Sequence, residues 1–150
     1  GVDIIDEAYD ATIRDRPGIY DAYYIEDFTS LDADSKEDIV SWQCDCMVTV
    51  AALGFGDIPV KAFIEAFNII NSEGWVAFNI KDSFFDTTDD SGFSRMIREL
   101  TFSKYLDVYS IERYRHRLSI DGEPLYYFAI AGRKKADVPY SFLESKGIKV

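Results

Sequence analysis

Residues that could bind an anion or move a proton are concentrated in one short segment, Arg113-Tyr114-Arg115-His116-Arg117. In an extended strand the three arginines would share one face, and the tyrosine and the histidine the other. An arginine face could bind a carboxylate or a phosphate, but pairing with the many surface acids is the favoured interpretation. His116 has the chemistry for proton transfer, although a single histidine is more often a strand-surface residue. The sequence therefore indicates no catalytic residue.

The two cysteines, Cys44 and Cys46, are spaced so that an extended strand would place both on one side. The chain has no other cysteine and its single histidine is remote in sequence, so the ligands of a metal site are missing. We expect both thiols to be reduced and to act as small apolar side chains in the core of a cytoplasmic protein.

Length and charge restrict the class of protein. The chain has 150 residues, 47% of them hydrophobic, which suffices for one domain, residues 1–150, with a substantial core. Its net charge of −11 would repel phosphate backbones, which argues against a nucleic-acid partner. No run reaches the ~18 apolar residues of a membrane span, and no signal pattern begins the chain. We therefore expect no membrane partner and a cytoplasmic location.

The middle of the chain has the pattern of a βαβ unit. An apolar run over 46–52 leads into a loop with Gly54 and Gly56, and a helical pattern and a glycine turn precede a second apolar run over 75–80. Such units almost always place both strands parallel in one sheet. Open α/β sheets bind ligands outside the carboxyl ends of their strands, so the loop that starts at Leu53 is a candidate binding loop, with a plain connecting turn as the alternative.

The remaining segments complete an α/β domain. We predict a helix over 7–16, a strand over 22–25, a loop with one helical turn over 31–38, a helix over 92–105, a hairpin of strands 106–118 and 124–131, and a solvated tail with a short terminal element over 134–150. The fold class is then a three-layer α/β domain. Its mostly parallel sheet would have helices on both faces and the antiparallel hairpin at one edge.

Two stretches resemble the fourth and fifth strands of Rossmann-like S-adenosylmethionine-dependent methyltransferases. They are DCMVTVAAL, against a family pattern of roughly D-x-V-x-x-x-x-A-L, and AFNIINSEGWVAF, against R-V-L-K-P-G-G and a hydrophobic strand. Ser72-Glu73 stands where the family has Pro-Gly. The strings VAALGFGDIP and RYRHRLSIDGEPLYYFAIAGRK are most similar to methyltransferase-like proteins of the Williams–Beuren-region type and their bacterial relatives.

The resemblance implies an S-adenosylmethionine site at the ends of the first two strands. Asp3 matches the acidic position of the family's G-x-D-x-S strand, where a carboxylate accepts hydrogen bonds from both ribose hydroxyls, and Ile4 would pack on the adenine. Asp27 would accept from the adenine amino group, while the backbone of Phe28 meets a ring nitrogen. From the residues alone, Asp27 is as readily an ordinary turn residue at a strand end.

The same resemblance implies a second group of site residues in the middle of the chain. Val50 and Ala51 would border the cofactor. Leu53 and Phe55 would form a wall, or a mobile lid, between the cofactor and a small-molecule acceptor. The resemblance assigns no catalytic residue, since methyl transfer depends mostly on in-line placement of the acceptor.

The family's glycine-rich loop, E-x-G-x-G-x-G, has no counterpart in these 150 residues. The resemblance covers about residues 1–135, and it implies a chain cut before the family's second strand that binds its cofactor poorly. We predict S-adenosylmethionine-dependent methyl transfer by such a fragment, or alternatively an inactive truncated α/β module that self-associates as a homodimer. A dehydrogenase is a weaker rival. To close the gap of the absent strand, the first segment should shift or swap, or two chains should pair.

Overall fold

The computed structural model describes residues 1–86 and 88–150 and shows an alternating α/β chain. The elements are β1 (Val2–Asp3), α1 (Asp6–Asp15), β2 (Tyr24–Ile25), α2 (Ala33–Ser41), β3 (Cys46–Leu53), α3 (Val60–Ile69), β4 (Trp75–Lys81), a short 3-10 helix (Asp82–Phe85), α4 (Phe93–Phe102), β5 (Leu106–Leu118), β6 (Pro124–Lys134) and α5 (Tyr140–Ser145). The predicted βαβ unit is present as β3, α3 and β4, with its strands parallel.

The strands form two separate sheets. β1 pairs with β2 in parallel, and the other four strands follow the order β3-β4-β6-β5. β6 runs antiparallel to both of its neighbours, so the predicted hairpin and the α/β class are confirmed. In the described residues β1 and β3 do not pair with each other. The expected closure of the sheet by the first segment is therefore wrong for the single chain, and each of these strands keeps an unpaired edge.

The two faces of the four-stranded sheet differ in cover. Because side chains alternate along a strand, Val76, Phe78 and Ile80 of β4 all point into one core, which they share with α3, α4 and α5. On the opposite face Val48 and Val50 of β3 are 64% and 63% exposed. Helices were expected on both faces, but the described helices leave this second face, which we call the open face, uncovered.

Residues 31–38, expected to be a loop with one helical turn, contain most of a nine-residue helix, α2. Asp32 caps its first turn, since its Oδ1 accepts from the backbone N–H groups of Asp34 and Ser35 at 2.9 and 3.0 Å. The acidic residues that suggested a solvated loop favour a helix N-terminus, where they meet the positive end of the dipole.

The C-terminal segment contains the expected short terminal element, α5. The segment is part of the core, which corrects the expectation that it is solvated. Val138, Leu143 and Ile148 are each at most 3% exposed. Lys134 is also buried, and its Nζ donates to the backbone oxygens of Asn68 and Ile70 at 2.9 and 2.5 Å. The end of β6 is thereby attached to the C-terminal end of α3.

The cysteines are free and exposed, so the prediction that they lie in the core was wrong. Cys46 alternates with Val48 and Val50 and thus belongs to the open face. Among residues 1–86 and 88–150 no group of three or more His, Cys, Asp or Glu could hold a metal ion. None of the described helices is long and apolar enough to cross a membrane.

Candidate functional site

The carboxyl end of β3 departs from regular strand geometry. Thr49 pairs with Phe78 and the next pair is Leu53 with Ile80, so four residue steps on β3 oppose two on β4. Within this bulge Ala51 has a φ of 58°, in the left-handed region that residues with a Cβ seldom adopt. The distortion turns the backbone of Ala51 away from the sheet ladder and frees its N–H for another partner.

That partner begins a chain of side chains across all four strands. The N–H of Ala51 donates to Oδ1 of Asn79, which is 6% exposed, and Asn79 Nδ2 donates to Tyr114 Oη at 2.7 Å. Tyr114 Oη lies 3.0 Å from His116 Nδ1, and the imidazole packs on Tyr127 with ring centroids 4.3 Å apart. We call Asn79, Tyr114 and His116 the polar chain. Sequence reasoning missed Asn79, although an amide inside the apolar run 75–80 was a signal.

Asp3 lies at the carboxyl end of β1, as predicted. Its Oδ1 accepts from the N–H of Ile5 at 3.1 Å, and among the described residues its Oδ2 accepts no hydrogen bond. The next side chain, Ile4, is 60% exposed. A carboxylate with one free oxygen beside an exposed apolar side chain suits a ribose followed by a flat base, so these two residues fit the predicted cofactor.

Asp27 fits less well. Its Oδ1 accepts from both the backbone N–H and the hydroxyl of Thr29 at 2.7 Å, and its Oδ2 accepts from the Ser30 hydroxyl at 3.3 Å. The bonds from Thr29, then that from Ser30, hold the pKa of the Asp27 carboxyl below its usual range. Its side chain thus closes its own turn, while the half-buried Phe28 keeps the predicted backbone role open. Parallel pairing of β1 with β2 puts this turn at the same sheet edge as Asp3.

The loop after β3 separates the two residues that were predicted to form a wall or lid. Leu53 is 1% exposed and packs in the core, so its side chain faces no ligand in this conformation. Phe55 is 50% exposed and meets Phe84 edge-on, with ring centroids 5.0 Å apart. The Nζ of Lys81 lies 5.9 Å from the centroid of the Phe55 ring. Phe55 therefore stays a candidate and Leu53 does not.

The arginines of β5 are only partly accounted for by surface acids. Arg113 donates to Asp82 at 2.9 Å and stacks on Tyr126, 3.8 Å from the ring centroid. The interpretation as an ion-paired arginine is confirmed for this residue. A register shift between Arg115 and Arg117 interrupts the regular alternation that was expected there. Tyr114 and His116 nevertheless lie together, as predicted. Their rings contact each other, and the His116 ring also packs on Tyr127.

A shallow cavity of about 260 Å³ lies on the open face. Small and apolar side chains line most of it, and Asn79, Ser110 and Glu112 are its polar members. The cavity includes Val50, one of the predicted cofactor-border residues, so the apolar surface continues from the end of β3 to the polar chain. Ala51 lies next to it but is not one of its lining residues. The carboxyl end of β3 is therefore next to both an apolar recess and a hydrogen-bonded chain.

Comparisons with known proteins identify the fold. No family model and no curated protein matches the sequence. Among solved structures, a SAM-dependent methyltransferase from Methanosarcina mazei superposes with a TM-score of 0.59 at 15% identity, covering 91% of this chain and 81% of that one. N-methyltransferase NodS from Bradyrhizobium japonicum WM9 gives 0.53 at 12% identity, covering 89% and 71%, and has also been solved with S-adenosyl-L-homocysteine. TehB from Haemophilus influenzae gives 0.51 at 12% identity, covering 89% and 49%. This chain has the fold of SAM-dependent methyltransferases.

Proposed function

We propose that this chain binds S-adenosylmethionine and takes part in methyl transfer to a small-molecule acceptor, as a protein similar to the Williams–Beuren-region type. The observation that carries the proposal is the placement of Asp3 in a methyltransferase fold. Its carboxylate lies at the carboxyl edge of the parallel strands, and among residues 1–86 and 88–150 one of its oxygens accepts no hydrogen bond. A carboxylate accepts two hydrogen bonds at once, which is what a pair of ribose hydroxyls offers.

The chain's own residues would bind and place the cofactor. Asp3 would hold the ribose, Ile4 and the backbone of Phe28 would contact the adenine, and Val50 and Ala51 would border the cofactor. When bound, S-adenosylmethionine supplies the electrophilic methyl group, and the protein contributes proximity and exclusion of water. The 150 residues contain no glycine-rich loop of the family kind, so we expect weak affinity.

The exposed thiols support a reducing compartment. Cys44 and Cys46 are both free and accessible. Exposed thiols persist in reducing compartments and are readily oxidised outside them. We therefore propose a cytoplasmic location. Fractionation of cells that produce the protein, followed by detection of its thiols with a maleimide reagent, would test this.

NMR titration of the ¹⁵N-labelled chain with S-adenosylhomocysteine tests the cofactor proposal, with NAD as the competing ligand. We expect saturable shifts in the amides of residues 2–5 and 50–51 with the first compound only. Asp3→Ala should weaken binding by about tenfold or more, since a hydrogen bond to a charged group is worth about 1.5–3 kcal/mol. Asp10→Ala is the matched control, because this exposed carboxylate lies on α1, away from the strand ends. Shifts with NAD alone, or equal effects of both substitutions, would contradict the proposal.

A specific observation favours a second function, self-association as an inactive module. β3 pairs only with β4 in the described structure, and Val48 and Val50 stand exposed beside its free edge. Unpaired edges and exposed apolar surface both promote pairing of chains. Light scattering after size exclusion should then show a homodimer that Val48→Lys converts to a monomer. Ile120→Lys, at a fully exposed position on the hairpin turn, should leave the dimer intact. A wild-type monomer at all concentrations would refute this alternative.

A further inference from the structure

The direction of the first two hydrogen bonds in the polar chain follows from its first member. A backbone N–H can only donate, so Asn79 must present Oδ1 to Ala51 and Nδ2 to Tyr114. Tyr114 Oη accepts from the amide, and its contact with His116 Nδ1 at 3.0 Å allows two directions: the hydroxyl donates to Nδ1, or Nδ1–H donates to the hydroxyl oxygen. A neutral imidazole that accepts at Nδ1 carries its proton on Nε2. In the first of these two directions, the polar chain ends in an N–H donor at His116 Nε2.

The surroundings of that donor are cationic and aromatic. The His116 imidazole packs on the Tyr127 ring. In the sheet, Tyr127 pairs with Tyr114 of β5 on one side and with Lys81 of β4 on the other. Alternation puts Lys81 on the same face as Asn79. Among the described residues the Lys81 ammonium has no ion-pair partner, and it lies near the exposed Phe55 ring. The acids on this face of β5 are Glu112, two residues before Tyr114 and thus one row further from the strand ends, and Asp107, which is paired with Arg133 near the opposite end of the sheet.

We infer that the polar chain and Lys81 form the recognition end of the acceptor site. His116 Nε2–H donates to an oxyanion of the acceptor, a carboxylate or a phosphate, and Lys81 compensates its charge. Asn79 and Tyr114 are positioning residues, since they act through the imidazole. Asn79 connects Tyr114 by hydrogen bonds to Ala51, which lies at the predicted cofactor border. An oxyanion bound at His116 would therefore anchor an acceptor beside the cofactor. The identity of this ligand as a methyl acceptor rests on the proposed function, whereas oxyanion binding does not.

The direction of the hydrogen bonds can be tested directly because His116 is the only histidine. Its two imidazole nitrogens give unambiguous ¹⁵N signals. For the neutral imidazole we expect the Nε2–H form, with an Nδ1 resonance shifted by the bond from Tyr114. Tyr114→Phe should return the Nδ1 resonance to the value of a free imidazole. An Nδ1–H form in the wild type, or no response to Tyr114→Phe, would overturn the inference.

Ligand recognition is tested by titrating acetate and inorganic phosphate separately and following the His116 ring and the Lys81 amide. The probe that saturates identifies carboxylate or phosphate as the preferred group. His116→Leu and Lys81→Met should each weaken binding by at least about tenfold, as expected for lost charged hydrogen bonds. His116→Gln keeps an N–H donor and should retain most of the affinity.

Arg115→Gln is the control for charge alone, because it removes one positive charge from the same strand without touching the polar chain. We expect its affinity for the probe to remain close to that of the wild type. Equal weakening by Arg115→Gln and His116→Leu, or shifts that rise without saturation for both probes, would refute a built site.

A titration of His116→Leu with S-adenosylhomocysteine separates this inference from the proposed function. Cofactor binding should be unchanged in this variant. If the wild type ignores S-adenosylhomocysteine but still binds an oxyanion through His116, the methyltransferase proposal fails and the recognition site stands. If the cofactor binds and no oxyanion does, the reverse holds.

Discussion

Replacement of Lys134 by methionine should destabilise the protein more than any loss of a surface charge. The side chain is 1% exposed, and its ammonium donates to two carbonyls at the end of α3 and pairs with Asp137 at 2.6 Å. Each hydrogen bond to a charged donor is worth about 1.5–3 kcal/mol. The substitution also removes the cost of burying an ammonium, which offsets part of this loss. We expect a net loss of about 2–4 kcal/mol in the free energy of unfolding.

Urea denaturation measures this loss. With a slope of about 2 kcal/mol per molar urea, the midpoint for Lys134→Met should fall by about 1–2 M at an unchanged slope. Lys135→Met is the matched neighbour, since Lys135 and its partner Glu73 are 38% and 54% exposed and such pairs contribute about 0–1 kcal/mol. Equal midpoints for the two variants would show that the buried ammonium does not hold β6 to α3. The hairpin of β5 and β6, which carries Tyr114 and His116, would then depend on other contacts.

Three further predictions concern the loops and the C-terminal helix. Gly54→Ala should unfold at clearly lower urea than Gly56→Ala: both have a positive φ, but only at Gly54 would a Cβ lie 2.3 Å from an aromatic ring atom. Thr29→Val should raise the pKa of Asp27 toward its ordinary value, as followed by carboxyl ¹³C shifts, because the side-chain hydrogen bond that lowers it is lost. Burial, and then a hydrogen bond to a buried glutamate, raise the pKa of Tyr140 to about 12, so its contribution to stability is complete below pH 10 and lost between pH 10 and 12. The Tyr140→Phe variant should not show this loss of stability between pH 10 and 12.

Each of these three predictions would be contradicted by a specific result. Similar midpoints for the two glycine variants would mean that the loop moves away from the ring at little cost. An unchanged Asp27 titration would show that the backbone bond alone determines its pKa. The same fall in stability between pH 10 and 12 in Tyr140→Phe would assign that fall to other tyrosines or lysines.

Local periodicity was sufficient for the elements that pack on the covered face of the sheet. The spacing of Phe93, Met96, Ile97 and Leu100 predicted α4, and all four side chains are at most 3% exposed. The two apolar runs with a helix between them predicted the parallel pair of β3 and β4. In these elements the residues that form the pattern also form the core, so the pattern and the packing agree.

The errors come from residues whose environment depends on distant partners. Lys134 was predicted to begin a solvated tail, but lysine is buried where its ammonium finds partners, and here these include carbonyls at the end of α3. The cysteines looked like core residues because most free cysteines are, yet Cys46 lies on the open face. Neither the burial of Lys134 nor the exposure of the cysteines could be predicted from residues adjacent in sequence.

The polar chain shows why the strand-end sites were predicted only in part. Sequence patterns place Val50 and Ala51 at the end of β3, and that position suffices for a prediction by resemblance. The bulge, however, exists because β3 has two more residues than β4 opposite it, and the freed N–H of Ala51 is bonded by an amide from the adjacent strand. A left-handed alanine costs about 1–2 kcal/mol, and this strain is tolerable where the hydrogen bond to Asn79 compensates it. The conformation of the predicted cofactor border and the orientation of His116 are thus coupled through Asn79, and a coupling between two strands is visible only once the strands are paired.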